Sequence, residues 1–139
     1  MMTLHGAAAI VLVAATTAPP MPQPMAMDTP VSFGGIQVVC TGVGSAKDDP
    51  EWAAYPVRIE FSNGGAQYLS GAHLTLSGAG TADFNCAGPW VLVRGNPGTY
   101  HVTATINDVQ ARPASTTFDL RTGPQQRVEL RFPAVQANE

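Results

Sequence analysis

Two cysteines, Cys40 and Cys86, carry the most definite chemistry in this chain. In an exported protein an even number of cysteines indicates a disulfide, whereas in a reducing compartment the pair would be two buried thiols, or a metal or redox site. The metal and redox alternatives are weak, because no Cys-x-x-Cys motif occurs and no histidine lies at zinc-ligand spacing from either cysteine. We predict a Cys40–Cys86 disulfide, which in the chain-entropy description would stabilise the fold by roughly 3 to 4 kcal/mol.

Histidine and methionine side chains offer a second possible chemistry, the binding of copper. Met21, Met25 and Met27 are soft ligands suited to Cu(I), and His73 and His101 could add imidazole ligands. No His or Cys lies close to the three methionines along the chain, and strand alternation places both histidines on solvent-facing sides. We keep copper binding as an alternative function and expect no metal or other cofactor.

An acidic group, Asp48, Asp49 and Glu51, has the residue types used in acid–base catalysis or calcium binding. The spacing of a calcium loop is absent. Helix capping explains the group better, because Asp48 or Asp49 can cap a helix that has Pro50 at its first position. We predict one short helix near residues 48–55.

Sequence motifs for catalysis are missing from the chain. It has no G-x-S-x-G, H-E-x-x-H or P-loop sequence. A hydrolase is the less favoured alternative function. We predict no catalytic residues and no enzymatic activity.

Composition indicates a small β protein that does not bind nucleic acid. The 139 residues carry a net charge of −3, and Lys47 is the only lysine, so the chain lacks the cationic stripe that neutralises phosphates. Glycine and proline contribute 14 and 12 residues, which favours short strands joined by many turns.

Strict alternation of apolar and polar residues defines the strands that must position any site. It is clearest in PVRIEFS, AHLTLS, TYHVTATI and RVELRF, where one face of each strand is apolar. Turn residues separate the strands every 8 to 14 residues. This pattern predicts an all-β, antiparallel sandwich of about seven strands.

The N-terminal residues determine the predicted compartment. Residues 6–15 form an apolar run that fits a signal peptide and is too short to span a bilayer, with cleavage expected near Ala15. A buried strand or helix is the alternative interpretation of this run. We predict a signal peptide (1–15), a Pro- and Met-rich tether (16–30), a β-sandwich domain (31–133) and a tail (134–139).

Three segments resemble the carboxypeptidase regulatory-like domain, a transthyretin-like sandwich module. They are Gly71-Ala72-His73-Leu74, then Gly88-Pro89-Trp90-Val91-Leu92, then Asn96-Pro97-Gly98-Thr99-Tyr100-His101-Val102-Thr103-Ala104. The resemblance covers roughly residues 56–133 and implies an Ig-like or transthyretin-like sandwich. The motif residues would then be structural: Gly88, Pro89, Trp90, Pro97, Gly98 and Tyr100. A hydrolase of the same transthyretin-like fold would need a Tyr-Arg-Gly-Ser-like terminal strand, and the C-terminal segment RFPAVQANE lacks it.

The aromatic pair Trp90 and Tyr100 also has the residue types of a platform for sugars or peptides. A platform needs exposed rings, whereas alternation places Tyr100 inward, and we therefore expect both rings to belong to the frame of the domain. The sequence as a whole predicts a noncatalytic exported module, periplasmic or extracellular, that binds or scaffolds an envelope protein or a glycan. We expect no membrane span in its mature form.

Overall fold

Two β-sheets packed face to face make up the computed structural model, which describes residues 24–64, 68–107 and 111–133. The predicted signal peptide, residues 16–23 of the predicted tether and the predicted tail lie outside these ranges. The nine strands of the described residues are β1 (Val31–Phe33), β2 (Ile36–Thr41), β3 (Val57–Ser62), β4 (Ala72–Ser77), β5 (Thr81–Cys86), β6 (Trp90–Gly95), β7 (Gly98–Ile106), β8 (Ala114–Leu120) and β9 (Gln126–Arg131). One sheet has the order β1-β2-β6-β3-β9 and the other β5-β4-β7-β8.

Alternation along the strands builds the core between the sheets, which confirms the predicted all-β sandwich. The side chains that alternation directs inward are almost fully buried, among them Ile59 and Phe61 of β3 and Val102 of β7. Burying such side chains stabilises the fold by roughly 1.5 to 3 kcal/mol each. Within the ranges described here, no helix has the length and apolar character needed to cross a membrane.

The described residues form nine strands where about seven are predicted, and one of the additional strands arises because residues 31–41 form two strands instead of one. Gly34 and Gly35 form the turn of a hairpin in which Phe33 faces Ile36, so that β1 and β2 pair antiparallel. Gly35 has a φ of 86°, a conformation that costs glycine little. One strand pair departs from the antiparallel pattern, since β9 runs parallel to β3.

The disulfide joins the two sheets, as the cysteine count predicts. Cys40 of β2 and Cys86 of β5 are bonded, with Cα atoms 5.6 Å apart, and both side chains are buried. Because β2 and β5 belong to different sheets, the bond fixes the separation of the two layers.

The predicted short helix is present as two 3₁₀ helices, η1 (Ser45–Asp48) and η2 (Pro50–Ala54). Asp49 caps η2 by accepting a hydrogen bond from the backbone N–H of Glu51, and Pro50 occupies the first turn, which confirms the capping interpretation. Trp52 and Tyr55 pack with Val39 and Leu92 in a small cluster on the outward face of the five-stranded sheet.

The part of the predicted tether that the structure describes lies against the sandwich. The Met25 N–H donates to the Asn85 carbonyl at 2.9 Å, and the Asp28 N–H donates to the Cys40 carbonyl at 2.7 Å. Asp28 also accepts a hydrogen bond of 2.6 Å from the Thr41 hydroxyl. Residues 24–30 therefore cover the disulfide side of the domain instead of extending freely.

Strand direction gives the sandwich two distinct ends. β1, β4, β6 and β8 run toward an end that contains the Asn96–Pro97 turn, which we call the Pro97 end. β2, β3, β5, β7 and β9 run toward the opposite end, where Cys40 and Cys86 lie, which we call the disulfide end. The described chain both enters and leaves the domain at the disulfide end.

Candidate functional site: a groove at the Pro97 end

An open groove of about 720 Å³ lies at the Pro97 end of the sandwich. Its volume falls within the range of small-ligand sites in proteins. Five segments contribute its walls: the β1–β2 hairpin, the end of η2, the start of β3, the β6–β7 turn and the end of β8. The residues that line it are Ser32, Phe33, Gly35, Ile36, Gln37, Ala54, Pro56, Arg94, Gly95, Pro97, Leu120, Arg121 and Thr122.

Close approach of two backbone segments forms one wall of the groove. A Cβ atom at Gly95 would lie 2.5 Å from the Gly35 carbonyl oxygen and 2.7 Å from the Ile36 Cα atom. The Asn96 N–H donates to the same Gly35 carbonyl at 2.9 Å. Only glycine at position 95 permits this contact, which holds the β1–β2 hairpin against the β6–β7 turn.

The Arg94 guanidinium is held in place on one side of the groove. Its Nε donates to the Gln37 Oε1 atom at 2.8 Å, and its Cζ lies 4.4 Å from the centre of the Tyr55 ring. The Tyr55 hydroxyl donates to the same Gln37 oxygen at 2.9 Å. Burial raises the pKa of the Tyr55 hydroxyl, and Arg94 opposes this shift while Glu51 adds to it. Tyr55 therefore remains a neutral donor at physiological pH.

Charge in the groove is of one sign. Arg94 and Arg121 are the ionisable side chains among the residues that line it. Arg121 makes no ion pair or side-chain hydrogen bond within the described ranges, and Arg94 uses only its Nε. An apolar groove with two available guanidinium groups can bind an anionic group carried on an apolar body.

The predicted structural residues around the cysteines lie at the disulfide end. The Gly88 N–H points to the Cys40 Sγ atom at 3.3 Å. A Cβ atom at Gly88 would lie 2.4 Å from the Thr41 carbonyl oxygen, so that only glycine fits there. Pro89 is buried beside it. These positions shape the disulfide environment and are remote from the groove.

Trp90, which was expected to belong to the frame of the domain, lies on the outward face of its sheet and not in the core between the sheets. Its pairing with Glu60 across β6 and β3 places it on the outward face, where it is half-buried. The Arg58 guanidinium lies 4.3 Å from the centre of the indole, and the Tyr68 ring meets it edge-on at 5.9 Å. The indole N–H is covered and has no hydrogen-bond partner among the described residues. Trp90 is therefore part of a cover over the sheet, not an open platform.

Beneath this cover lies a fully buried carboxylate, that of Glu60. Arg127 Nε donates to its Oε1 atom at 2.6 Å, and this hydrogen bond raises the pKa of Arg127. Arg58 Nε lies 2.7 Å from its Oε2 atom without the angle of a hydrogen bond. We call Arg58, Glu60, Tyr68, Trp90 and Arg127 the Glu60 cluster. Both arginines pair with the one carboxylate, and we interpret the cluster as structural.

Residues of the third resembling segment, 96–104, have conformational roles near the Asn96–Pro97 turn. Tyr100 is fully buried, as alternation predicts, and its hydroxyl donates to the Asn96 carbonyl at 2.7 Å. Burial raises the pKa of this hydroxyl. Pro97 lines the groove, and Gly98 begins β7 with a φ of 145°. Trp90 thus lies on the outward face of the five-stranded sheet, and Tyr100 lies on the inward face of the four-stranded sheet. The two rings therefore do not form one surface.

The two strand histidines point outward on the four-stranded sheet but stand apart. His73 faces Thr105 and His101 faces Ser77, a separation of four residues along β7, or about 13 Å. The His73 ring nitrogens contact Asn85 and Asp83. One metal ion cannot reach both histidines at this separation. Across 24–64, 68–107 and 111–133, no three His, Cys, Asp or Glu side chains converge in a metal-binding arrangement.

Sequence analysis did not single out Arg94 or Arg121. A usable pattern was present, because each arginine stands at the end of a strand immediately before a turn that contains glycine or proline. Both strands run toward the Pro97 end, which only the fold reveals. Comparisons with known protein families, with characterised proteins and with solved structures find no match to this chain.

Proposed function

We propose that this protein is a noncatalytic exported β-sandwich module that binds a partner from the cell envelope through the groove at the Pro97 end. The observation that carries the proposal is the groove itself, with its apolar walls and two available guanidinium groups. Loops gathered at one end of a β-sandwich are a common place for binding sites, since a rigid frame positions them.

A binding role suits the groove better than catalysis. Arginine remains protonated at physiological pH and is a poor proton carrier, so Arg94 and Arg121 are suited to holding an anion in place. The walls of the groove supply contact area and hydrogen-bond donors. We infer that this site recognises and does not transform its ligand.

Export is supported by the leader-like residues 6–15 and by the inter-sheet disulfide, since disulfides persist in oxidising compartments. An intact mass of the protein isolated from its native host tests this part. We expect a mass that corresponds to cleavage near Ala15 and is two hydrogens below that of the reduced chain. Retention of residues 1–15 would contradict export through a cleaved signal peptide.

We further propose kinship with carboxypeptidase regulatory-like domains. The Gly71-Ala72, Gly88-Pro89-Trp90 and Asn96-Pro97-Gly98 motifs support this relation, together with their positions at strand starts and turns. A relation of this kind fits a module that binds or scaffolds without reacting.

The partner is tested by capture with a matched pair of variants. Ser32 is exposed, lines the groove and lies on an edge strand, so Ser32→Trp should fill the groove without disturbing the core. Ser115 is exposed on the other edge strand, away from the groove, and Ser115→Trp is the control. We expect an envelope component to be captured by the wild type and by Ser115→Trp but not by Ser32→Trp. Equal capture by all three would refute the groove as the binding surface.

A further inference from the structure

We propose that Met27 is an oxidation site that controls access to the Cys40–Cys86 disulfide: its sulfoxide opens a strap, residues 24–30, that otherwise shields the disulfide from thiols. The inference goes beyond the proposed function, since it concerns the disulfide end and not the groove. Three features of the described residues carry it: the path of the strap, the position of Met27 and the small number of hydrogen bonds that hold the strap.

The strap crosses from one sheet to the other beside the disulfide. At its start the Met25 N–H donates to the carbonyl of Asn85, the neighbour of Cys86 on β5. At its end the Asp28 N–H donates to the Cys40 carbonyl on β2. Because the two cysteines are only 0% and 1% exposed, an external thiol reaches their sulfur atoms only after part of this cover moves.

Met27 is the strap side chain that contacts the disulfide. Its Sδ atom lies 3.4 Å from the Cys40 Sγ atom. Its Cε atom lies over Gly88, where a Cβ atom would be only 2.8 Å away, so Met27 fits there because position 88 has no side chain. Met27 packs against the core and is half-buried. The residue is therefore in contact with the disulfide and still accessible to a small oxidant.

Few hydrogen bonds hold the described part of the strap closed. Besides the two backbone hydrogen bonds, Asp28 accepts one of 2.6 Å from the Thr41 hydroxyl. Asp28 has a φ of 58°, a left-handed conformation that is less favourable for aspartate than for glycine. Ala26, Thr29 and Pro30 are exposed. A segment held in this way opens at a lower free energy than the whole domain unfolds.

Oxidation converts Met27 from an apolar into a polar side chain. Hydrogen peroxide or a hypohalous acid transfers one oxygen atom to Sδ and is itself reduced by two electrons, to water or to halide and a proton. A polar sulfoxide without a hydrogen-bond partner is unfavourable in an apolar contact, so the strap opens. A dithiol then attacks the disulfide as its thiolate, passes two electrons and two protons to Cys40 and Cys86, and becomes a disulfide itself.

The test follows reduction of the disulfide in the full chain by dithiothreitol, with alkylation and intact mass as the readout. Treatment with hydrogen peroxide, which is removed before reduction, should accelerate reduction about tenfold or more, and peptide mapping should find the added oxygen on Met27. Met27→Leu keeps an apolar side chain of similar volume and should show no acceleration. Met25→Leu is the matched control, because Met25 is also a partly buried strap residue, and it should retain the acceleration.

A second measurement distinguishes opening of the strap from unfolding of the domain. Reduction through the strap should depend little on urea at low concentration, because opening the strap exposes little surface. Asp28→Ala removes the acceptor of the Thr41 hydroxyl and should accelerate reduction without any oxidant. Leu120→Ala removes a buried side chain at the Pro97 end, so it weakens the fold far from the strap and should leave the rate unchanged.

Several results would overturn the inference. Lack of acceleration by peroxide in the wild type, equal acceleration in Met27→Leu, or loss of the acceleration in Met25→Leu would exclude Met27 as the controlling site. An unchanged rate in Asp28→Ala would exclude the strap as the cover that must move. A rate that rises with urea as steeply as global unfolding, or that rises in Leu120→Ala, would show that thiols reach the disulfide only when the whole domain unfolds.

Discussion

Glu60 lies on the outward side of β3, yet its carboxylate is fully covered. An uncompensated buried charge would be strongly destabilising, and here Arg58 and Arg127 compensate it from either side. The covering residues come from distant parts of the chain, Tyr68 and Trp90 among them. Glu60 therefore depends on the completed fold for its stability.

Replacing Glu60 tests this dependence. We expect Glu60→Gln to lower the free energy of unfolding by about 2 kcal/mol, because two guanidinium groups lose their counter-charge under a partial cover. Chemical denaturation measures the change. Glu51→Gln, which removes an exposed carboxylate of η2, is the control and should change stability by less than about 0.5 kcal/mol. A loss as small as that of the control would show that the cover contributes little.

The surroundings of the Glu129 carboxylate lead us to expect that the fold loses stability in acid. The Ser62 hydroxyl, which donates to it at 2.8 Å, and Arg131 lower the pKa of its carboxyl below the ordinary 4.5. Because the folded pKa is depressed, its contribution is fully present above the unfolded pKa and is lost as the pH falls below 4.5 through the folded value.

The measurement is the denaturation midpoint at neutral pH and at pH 3. We expect a smaller drop in Glu129→Gln than in the wild type, and an unchanged drop in Glu51→Gln. A drop of equal size in the Glu129 variant and the wild type would assign the acid dependence to other groups.

For individual residues, the sequence predicted whether a strand side chain points inward or outward, because alternation alone determines this direction. Tyr100, Val57 and Leu74 lie inward as expected, because the side of a strand that a residue occupies follows from its position. Burial of Glu60 and the partial exposure of Trp90 could not be predicted in the same way. Both depend on side chains contributed by other strands, as in the contact between Glu60 and Arg127, 67 residues apart in the chain.

The two 3₁₀ helices are the elements that cover the outward face of the five-stranded sheet near β2 and β6. Trp52 of η2 is 6% exposed and donates through its indole N–H to the Ala46 carbonyl at 2.8 Å. Gln125 donates to the Trp52 and Tyr55 carbonyls and so ties the segment to the start of β9. This cover also positions Tyr55 beneath Arg94.

The two tryptophans should therefore differ in their contributions. We expect Trp52→Ala to lower the free energy of unfolding by about 3 kcal/mol, in the range of buried aromatic truncations. Trp90→Ala should cost about half as much, since its ring is half-buried and held mainly by Arg58 and Tyr68. Urea denaturation of both variants measures the difference. A larger loss of stability for Trp90→Ala than for Trp52→Ala would show that Trp90 stabilises the domain more than its partial exposure indicates.

The disulfide gives a prediction for the pair of strands that it joins. Cys40 and Cys86 are 46 residues apart, and the chain-entropy relation assigns about 4 kcal/mol to closing such a loop. The double variant Cys40→Ala and Cys86→Ala should lose stability of this order, and reducing agent should destabilise the wild type but leave the variant unaffected. Equal stability of wild type and variant would contradict a constraint between the sheets.

The positions of the turns were easier to predict than the sheets to which the connected strands belong. The Asn96–Pro97 turn was expected from its residue types, but β6 and β7, which it joins, belong to different sheets. Local turn chemistry determines that the chain reverses, whereas the sheet that receives the next strand depends on packing across the whole domain. The parallel pairing of β9 with β3 has the same origin.

The groove exists only at the scale of the whole molecule. Its residues extend in sequence from Ser32 to Thr122, and no short motif contains them. The sequence predicted the sandwich that assembles these segments, and the end at which they meet follows from strand directions that only the fold establishes. The sandwich could therefore be predicted from the sequence, whereas the set of residues that lines the groove could not.

The two distinct ends of the domain give a prediction for the whole molecule when it is attached to a surface. Attachment to a surface through Pro133→Cys at the disulfide end should preserve capture of the envelope partner, whereas attachment through Thr122→Cys should abolish it, since Thr122 lines the groove. Surface plasmon resonance with the two biotin-labelled proteins measures this. Equal capture would place the binding surface elsewhere.

Entry and exit of the chain at one end make the domain a side branch of any longer polypeptide that contains it. Strands of up to nine residues set the distance from that junction to the opposite rim at roughly 30 Å. Fusion partners on either terminus, or a membrane anchor, would leave that rim facing solution. Tandem copies would display their rims side by side along a stalk, so that repetition could raise avidity without rebuilding the site.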